Sequence, residues 1–322
     1  MKKIILLSIT SLCLANMATA QGFSAKNDDG LTIYYGITSA TAPLTVAVRP
    51  NYYYDNEYSG DIIIPASVAY KGKTYSVTKI GERVFFGCSD LTSVTIPSSI
   101  TKIGEAAFFG CNGLTSVNIP SSVTTIGERS FAGCSGLTSV TIPNSVTEIG
   151  GRAFIGCSDL TSVIIPNAVK EIGYEAFYGC SGLTSVIIPN SVTEIGDYAF
   201  FGCSGLTSVN IPNSVTKIGE LAFADCRGLT SVTIPSSVTE IGNGAFAYCS
   251  GLTSVTIPNS VKEIGNGAFA GCSGLISITI NASIPPSCNI TDYPSFKGVS
   301  KSIPVYVPCG SLSNYKKSEW WG

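Results

Sequence analysis

Residues 91–113 read Leu91-Thr-Ser-Val94-Thr-Ile96-Pro97-Ser-Ser-Ile100-Thr-Lys-Ile103-Gly104-Glu-Ala-Ala-Phe108-Phe-Gly110-Cys111-Asn-Gly113, and the same unit begins again at Leu114. Cysteine keeps the register at 88, 111, 134, 157, 180, 203, 226, 249 and 272, nine in succession at a spacing of 23. Leucine recurs from Leu91 to Leu275, phenylalanine from Phe85 to Phe269 and glycine from Gly81 to Gly265. Such self-similarity is the mark of a stacked repeat architecture.

One unit shows why the units must stack. Ser93 to Pro97 alternates, which turns Val94 and Ile96 inward and Ser93 and Thr95 outward. Pro97 has no N–H to give a ladder and suits a strand end. Ile100 and Ile103 return to the interior, and Gly104 permits a tight corner. Ala107, Phe108 and Cys111 fit one short helical turn, with Phe108 and Cys111 on one face. A single unit buries too little to offset the entropy of ordering its backbone. Stacked units bury both flat faces and share ladder hydrogen bonds. The period and the L-x-x-L-x-L core predict a right-handed leucine-rich-repeat superhelix of about nine coils. Each coil holds one short parallel strand, turns and a short helical corner, and β-type caps close both ends.

The flanks depart from the period. Met1-Lys2-Lys3, the apolar run Ile4–Leu14 and Ala18-Thr19-Ala20 form the three parts of a secretory signal peptide over residues 1–20. Residues 21–66, with alternating runs Leu31–Tyr35 and Leu44–Val48, are expected to form an N-terminal β cap. The solenoid then spans 67–281, and a C-terminal cap 282–322 carries a strand at Ile303–Val307.

Composition narrows the chemistry. The 322 residues include 19 Lys+Arg, 21 Asp+Glu and no histidine, and only 12% are charged. Nothing here neutralises a row of phosphates, so no nucleic-acid partner is expected. The missing histidine removes Ser-His-Asp, Cys-His and His-ligated metal sites. No second long apolar segment follows the leader, so no membrane span is expected. A monomeric, exported protein without cofactor, metal site or catalytic residues is the reading.

The cysteine ladder reads as packing. Neighbouring coils lie about 4.8 Å apart, beyond the ~3.5–4.5 Å that a disulfide needs between Cβ atoms, and no C-x-x-C cluster offers a zinc site. Cys288 and Cys309 stand outside the ladder, in the C-terminal cap of an exported chain, and are the candidate disulfide.

Binding must then come from surface. The candidate face is the outward side of the strands: Ser93, Thr95, Ser116, Asn118, Ser139, Thr141, Ile164, Ile187, Asn210, Thr233 and Thr256. It is uncharged, rich in hydroxyls and amides, and carries an Ile164/Ile187 patch suited to a protein or glycan. A plain solvated surface is the alternative, and Asn118, Asn210 and the two isoleucines interrupt the regular Thr array that ice binding would need. Glu148, Glu171 and Glu194 line up on the return stretch as a solvated row, or one that a calcium ion would relieve. Phe86, Phe109, Tyr178 and Phe201, with Ile155, form a second column that either packs between coils or offers a docking strip. Asp225, Arg227 and Tyr248 break the period, as a carboxylate-based sugar-cleaving site would, although drift in an exposed turn explains them as well.

The repeat x-L-T-S-V-x-I-P-x-S-V-x-x-I-G-x-x-A-F-x-G-C resembles the BspA-like leucine-rich-repeat proteins of bacterial cell surfaces. The resemblance runs from about residue 30 to 321. It includes Asn56–Asp61 and Val68–Gly81 at the entry, and Val305–Ser311, Tyr315 and Trp320 at the exit. It implies a secreted or surface-displayed protein for adhesion to host matrix proteins, glycans or other cells. A structural spacer of the cell envelope is the alternative.

Overall fold

Each coil spends its residues on two short strands and two bends. In the computed structural model, which describes residues 22–50, 58–288 and 294–318, the unit after Leu114 shows the pattern. A front strand, Ser116–Asn118, is followed by a turn in which Val123 N–H donates to Pro120 O at 3.0 Å. The return strand is Thr125–Ile126, and a chain of turns then brings the backbone to Cys134 and the next front strand. Val117, Ile119, Val123, Ile126, Phe131 and Cys134 all point into the core. The whole is a parallel β-solenoid of about ten coils with almost no helix.

The corner is a series of turns, where a short helix was expected. Its N–H groups alternate between two kinds of acceptor. Arg129, Phe131 and Gly133 donate to Gly151, Ala153 and Ile155 of the next coil, while Ala132 and Cys134 close i→i+3 turns on Arg129 and Phe131. That alternation holds two positions per coil in the left-handed region: the second is mostly glycine, Gly87 to Gly202, and the first is not, with Arg83, Ala106, Arg129, Arg152, Glu175, Tyr198 and Leu221 at φ between 49° and 61°. Such backbone costs a non-glycine residue about 1–2 kcal/mol, and the inter-coil bonds on both sides hold it. The Gly104 column serves differently from the tight corner expected of it. A Cβ on Gly127 would lie 2.7 Å from Gly104 C and 2.8 Å from Glu105 N. These glycines let one coil sit directly on the next.

Stacking aligns like residues. Ten phenylalanines from Phe85 to Phe296 form one column, with centroid separations of 5.0–5.5 Å and interplanar angles of 2–14°. Each ladder thiol from Cys111 to Cys272 also donates to a carbonyl, Cys111 Sγ to Phe85 O at 3.0 Å and Cys157 Sγ to Phe131 O at 3.2 Å. Cysteine thus fills the corner and supplies a weak donor to a buried acceptor. Burial pushes the Cys180 and Cys226 thiols up to about 12, which keeps these two protonated.

The ladder breaks at different places on the two sides. Front strands join in groups that end at Leu91–Thr95 and at Ser185–Ile187, whereas the return sheet changes after Glu148–Ile149. No pair of coils loses both ladders, so the stack stays continuous.

The N-terminal cap is β1 (Gly22–Lys26), β2 (Thr32–Ser39) and β3 (Thr45–Arg49), an antiparallel meander whose last strand pairs in parallel with β6 (Lys73–Ile80). It extends the return sheet. β4 (Gly60–Ile63) pairs with β7 (Leu91–Thr95) on the front, and β5 (Ser67–Tyr70) forms a hairpin with β6.

At the other end the winding runs past the boundary expected at 281. Ser287–Cys288 pairs with Glu263–Ile264, Phe296 stacks on Phe269 at 5.2 Å, and Val305–Tyr306 pairs with the strand Ser277–Ile280. The described residues 282–288 and 294–306 therefore belong to another coil, whose register is hidden because Phe296 follows Phe269 by more than one period. Helix α1 (Leu312–Lys317) closes this end, and its buried Tyr315 donates from the hydroxyl to Ala282 O at 2.7 Å. Residues 1–20, expected to be a signal peptide, and Tyr52–Tyr54 and Trp320 lie outside the described residues.

Candidate functional site

The front strands are three to five residues long, too short to hide their outward side chains. Along the column, Thr95, Asn118, Thr141, Ile164, Ile187, Asn210, Thr233 and Thr256 are all exposed. Ile164 and Ile187 are 63% and 59% exposed and face each other in register. Asn210, Thr233, Thr256 and Thr279 are likewise successive partners. Ser116 and Ser139 sit beside them on the same face and are exposed. The structure therefore brings the whole expected face together, at about one coil per 4.8 Å.

Two sets of hydroxyls divide the work. Thr138, Thr161, Thr184, Thr230 and Thr253 each donate from Oγ1 to the carbonyl of the threonine one coil earlier, at 3.0–3.3 Å. Those hydroxyls are occupied in stitching coils. Among the described residues, the side chains of Asn118, Thr141, Asn210, Thr233 and Thr256 make no hydrogen bond, so their polar groups face solvent. The column holds no charge. A partner would meet a flat strip of uncompensated hydroxyls and amides with an apolar centre.

Its ends were not legible in the sequence. Ile63, 44% exposed, pairs with Thr95, and Tyr306, 58% exposed, pairs with Thr279. Ser93 is only half exposed because its Oγ donates to Asp61 Oδ1 at 2.7 Å, beside Thr92 at 2.8 Å. Both bonds hold the Asp61 carboxyl below the usual carboxylate range, Ser93 contributing more. Ile276, at 68% exposure, stands where the other coils carry the stitching threonine.

The remaining candidates resolve as follows. Asp225 and Arg227 pair with each other at 2.7 Å in the open, and Asp225 and Tyr248 occupy left-handed positions that glycine fills elsewhere. Glu171 faces Glu194, which is bound by Lys217 at 3.0 Å, and no group of three or more metal-binding side chains exists among the described residues. Cys288 and Cys309 are both free thiols: the first is buried under the last coil and the second exposed in a turn, so the disulfide expected between them is absent. Phe86 stacks on Phe109 and Tyr178 on Phe201, each pair at 4.7 Å and partly exposed. Tyr174 lies under the Arg152 guanidinium at 4.8 Å, and Arg152 Nε donates to Glu175 at 2.6 Å.

Two stretches, residues 51–184 and 170–298, match the model of the BspA type leucine rich repeat region, in six copies. The chain belongs to the BspA-type leucine-rich-repeat family. Its solenoid is similar to the crystal structure of a leucine-rich repeat protein from Bacteroides ovatus, with 28% identity, a TM-score of 0.69, and coverage of 88% of this chain and 79% of that one. A leucine rich cell surface protein from Faecalibacterium prausnitzii is 26% identical over 91% of this chain and 97% of its own, at a TM-score of 0.49. The pneumococcal vaccine antigen PcpA shares the fold at 18% identity and a TM-score of 0.52, over 92% and 96% of the two chains. No curated protein matches this BspA-type chain by sequence. Among the described residues no helix is long and apolar enough to cross a membrane.

Proposed function

We propose that this BspA-type protein is exported and works by recognition, its front strand face docking a protein or glycan on a host or bacterial surface. The observation that carries the reading is the uncharged outward column, whose hydroxyls and amides have no internal partner and whose centre is the exposed Ile164/Ile187 pair. An apolar centre rimmed by polar groups is the pattern of an association surface. Identical contacts repeated along a rigid stack suit a partner that itself repeats, since many weak contacts then sum.

The test is a binding screen of the chain against immobilised matrix proteins, glycans and whole cells. It runs beside a variant carrying Thr95→Lys, Asn118→Lys, Thr141→Lys and Ile164→Lys. Saturable binding that this variant loses while its circular dichroism is unchanged supports the reading. Binding that survives the four lysines removes the front face from it. A folded chain that binds nothing is a spacer of the envelope.

A further inference from the structure

The front column has a pattern that nearly repeats from its centre toward either end. Counted outward from the space between Ile164 and Ile187, the first positions are those two isoleucines. The second are Thr141 and Asn210, and the third Asn118 and Thr233. At both of these a hydroxyl on one side answers an amide on the other. The fourth positions, Thr95 and Thr256, are two hydroxyls. Amides and hydroxyls each donate and accept, so an opposed pair can bond in either sense. Such a column is complementary to itself across a two-fold axis that runs along the strands between the two isoleucine coils.

Across that axis a second copy lies antiparallel on the first, front face to front face. Ile164 of each chain then meets Ile187 of the other, and side chains that are 63% and 59% exposed close into a dry centre. The column is uncharged, so the copies meet there without the like-charge cost of a charged face. Charge also decides the direction. Asp61 is exposed at the entry end of this face, in register with Ser93. Parallel copies would set two Asp61 carboxylates against each other, whereas antiparallel copies set each opposite the neutral coil of Ser277 and Thr279.

The area suits a reversible dimer. About ten coils at about 4.8 Å each, and a strand width of about 13 Å, cover roughly 600 Å² on each chain and about 1,200 Å² in all. That is the low end of specific interfaces.

We propose that the front face docks a second copy of this chain, antiparallel, with Ile164 of each copy against Ile187 of the other. This rests on the front face being the recognition surface and names its partner, in place of the monomer expected from the sequence. Chains carried on two opposed surfaces would meet in that sense.

The test is sedimentation equilibrium of the chain up to about 1 mM, where a monomer–dimer equilibrium is expected. Ile164→Lys alone and Ile187→Glu alone should each weaken association by about tenfold or more, since each sets an unpaired charge on an isoleucine. An equimolar mixture of the two single variants should associate more tightly than either alone, because the lysine of one chain meets the glutamate of the other. Thr141→Lys and Asn210→Glu, mixed in the same way, repeat the swap one coil further out should the first pair not fold by circular dichroism. A chain that stays monomeric overturns the proposal, while the screen against matrix proteins, glycans and cells still decides whether the face has a foreign partner. A dimer that both single variants retain overturns it, as does a mixture no tighter than its components. Dimers that obey the swap support it even where that screen finds no foreign ligand.

Discussion

Replacing Phe177 by Ala should cut the array near its middle. Phe177 is fully buried, between Phe154 at 5.3 Å and Phe200 at 5.4 Å, with both rings within 4° of parallel. Truncating a buried phenylalanine costs about 3–5 kcal/mol. Each lost ring pair is worth about 0.5–1.5 kcal/mol beyond its area, so the upper part of that range applies, about 4–5 kcal/mol. In a quasi-one-dimensional stack this loss falls on the interfaces that one coil makes with its two neighbours. Urea unfolding followed by circular dichroism should show a lower midpoint, and either two transitions or a smaller m-value as the halves uncouple. Phe296→Ala is the internal comparison. Phe296 is only partly buried and stacks on one ring of the column, Phe269, so its loss should cost roughly half as much by the same scale. A Phe177→Ala variant that loses under ~2 kcal/mol, or no more than Phe296→Ala, would refute the view that the ring column couples the coils.

Gly219→Ala places a Cβ 2.7 Å from both Asp197 N and Gly196 C of the preceding coil, and overpacking of that kind should destabilise by about 1–3 kcal/mol; an unchanged urea midpoint would show that the coils can separate there freely. A thiol reagent applied to the native chain should label Cys309 quickly and the ten buried cysteines of the described residues only on unfolding, as mass spectrometry of labelled peptides would read. Glu175 is held below the usual carboxylate range by Arg152 and Tyr174 against the opposing effect of burial. Its contribution is therefore present above its unfolded pKa and lost as pH falls through the lower folded value. Wild type and Glu175→Gln should differ in urea midpoint at pH 7 and converge in acid once pH has fallen below the lowered folded value; a difference that persists there would disprove the pairing. Asp61→Ala should leave the fold intact and free Ser93 and Thr92, which amide exchange in β4 and β7 would report; unchanged exchange would refute the role of these bonds.

Within the solenoid, sequence alone determined the period, the parallel register and the inward set. A strict 23-residue repeat admits one stacking in which every Leu91, Ile103, Phe108 and Cys111 meets its own kind, and the burial of those columns follows from apolarity. It also placed the outward column, because strand alternation leaves no choice of face. Tertiary structure decided what depends on the neighbouring coil. Ala106, Arg129 and Glu175 share no residue type that announces φ > 0; hydrogen bonds to the next coil impose it. The Gly104 column looks like turn chemistry in one unit and becomes a close-approach requirement only when two units are superposed. Asp61 lies 32 residues before Ser93, across an irregular hairpin, so no local pattern predicts their bond. The coil beyond Asn281 escaped because an insertion shifts its phenylalanine to 296. Cys288 and Cys309 share a cap in sequence yet lie one inside and one outside it. The docking of the cap strand β3 in parallel against β6 joins segments with different sequence patterns, so only the fold shows it.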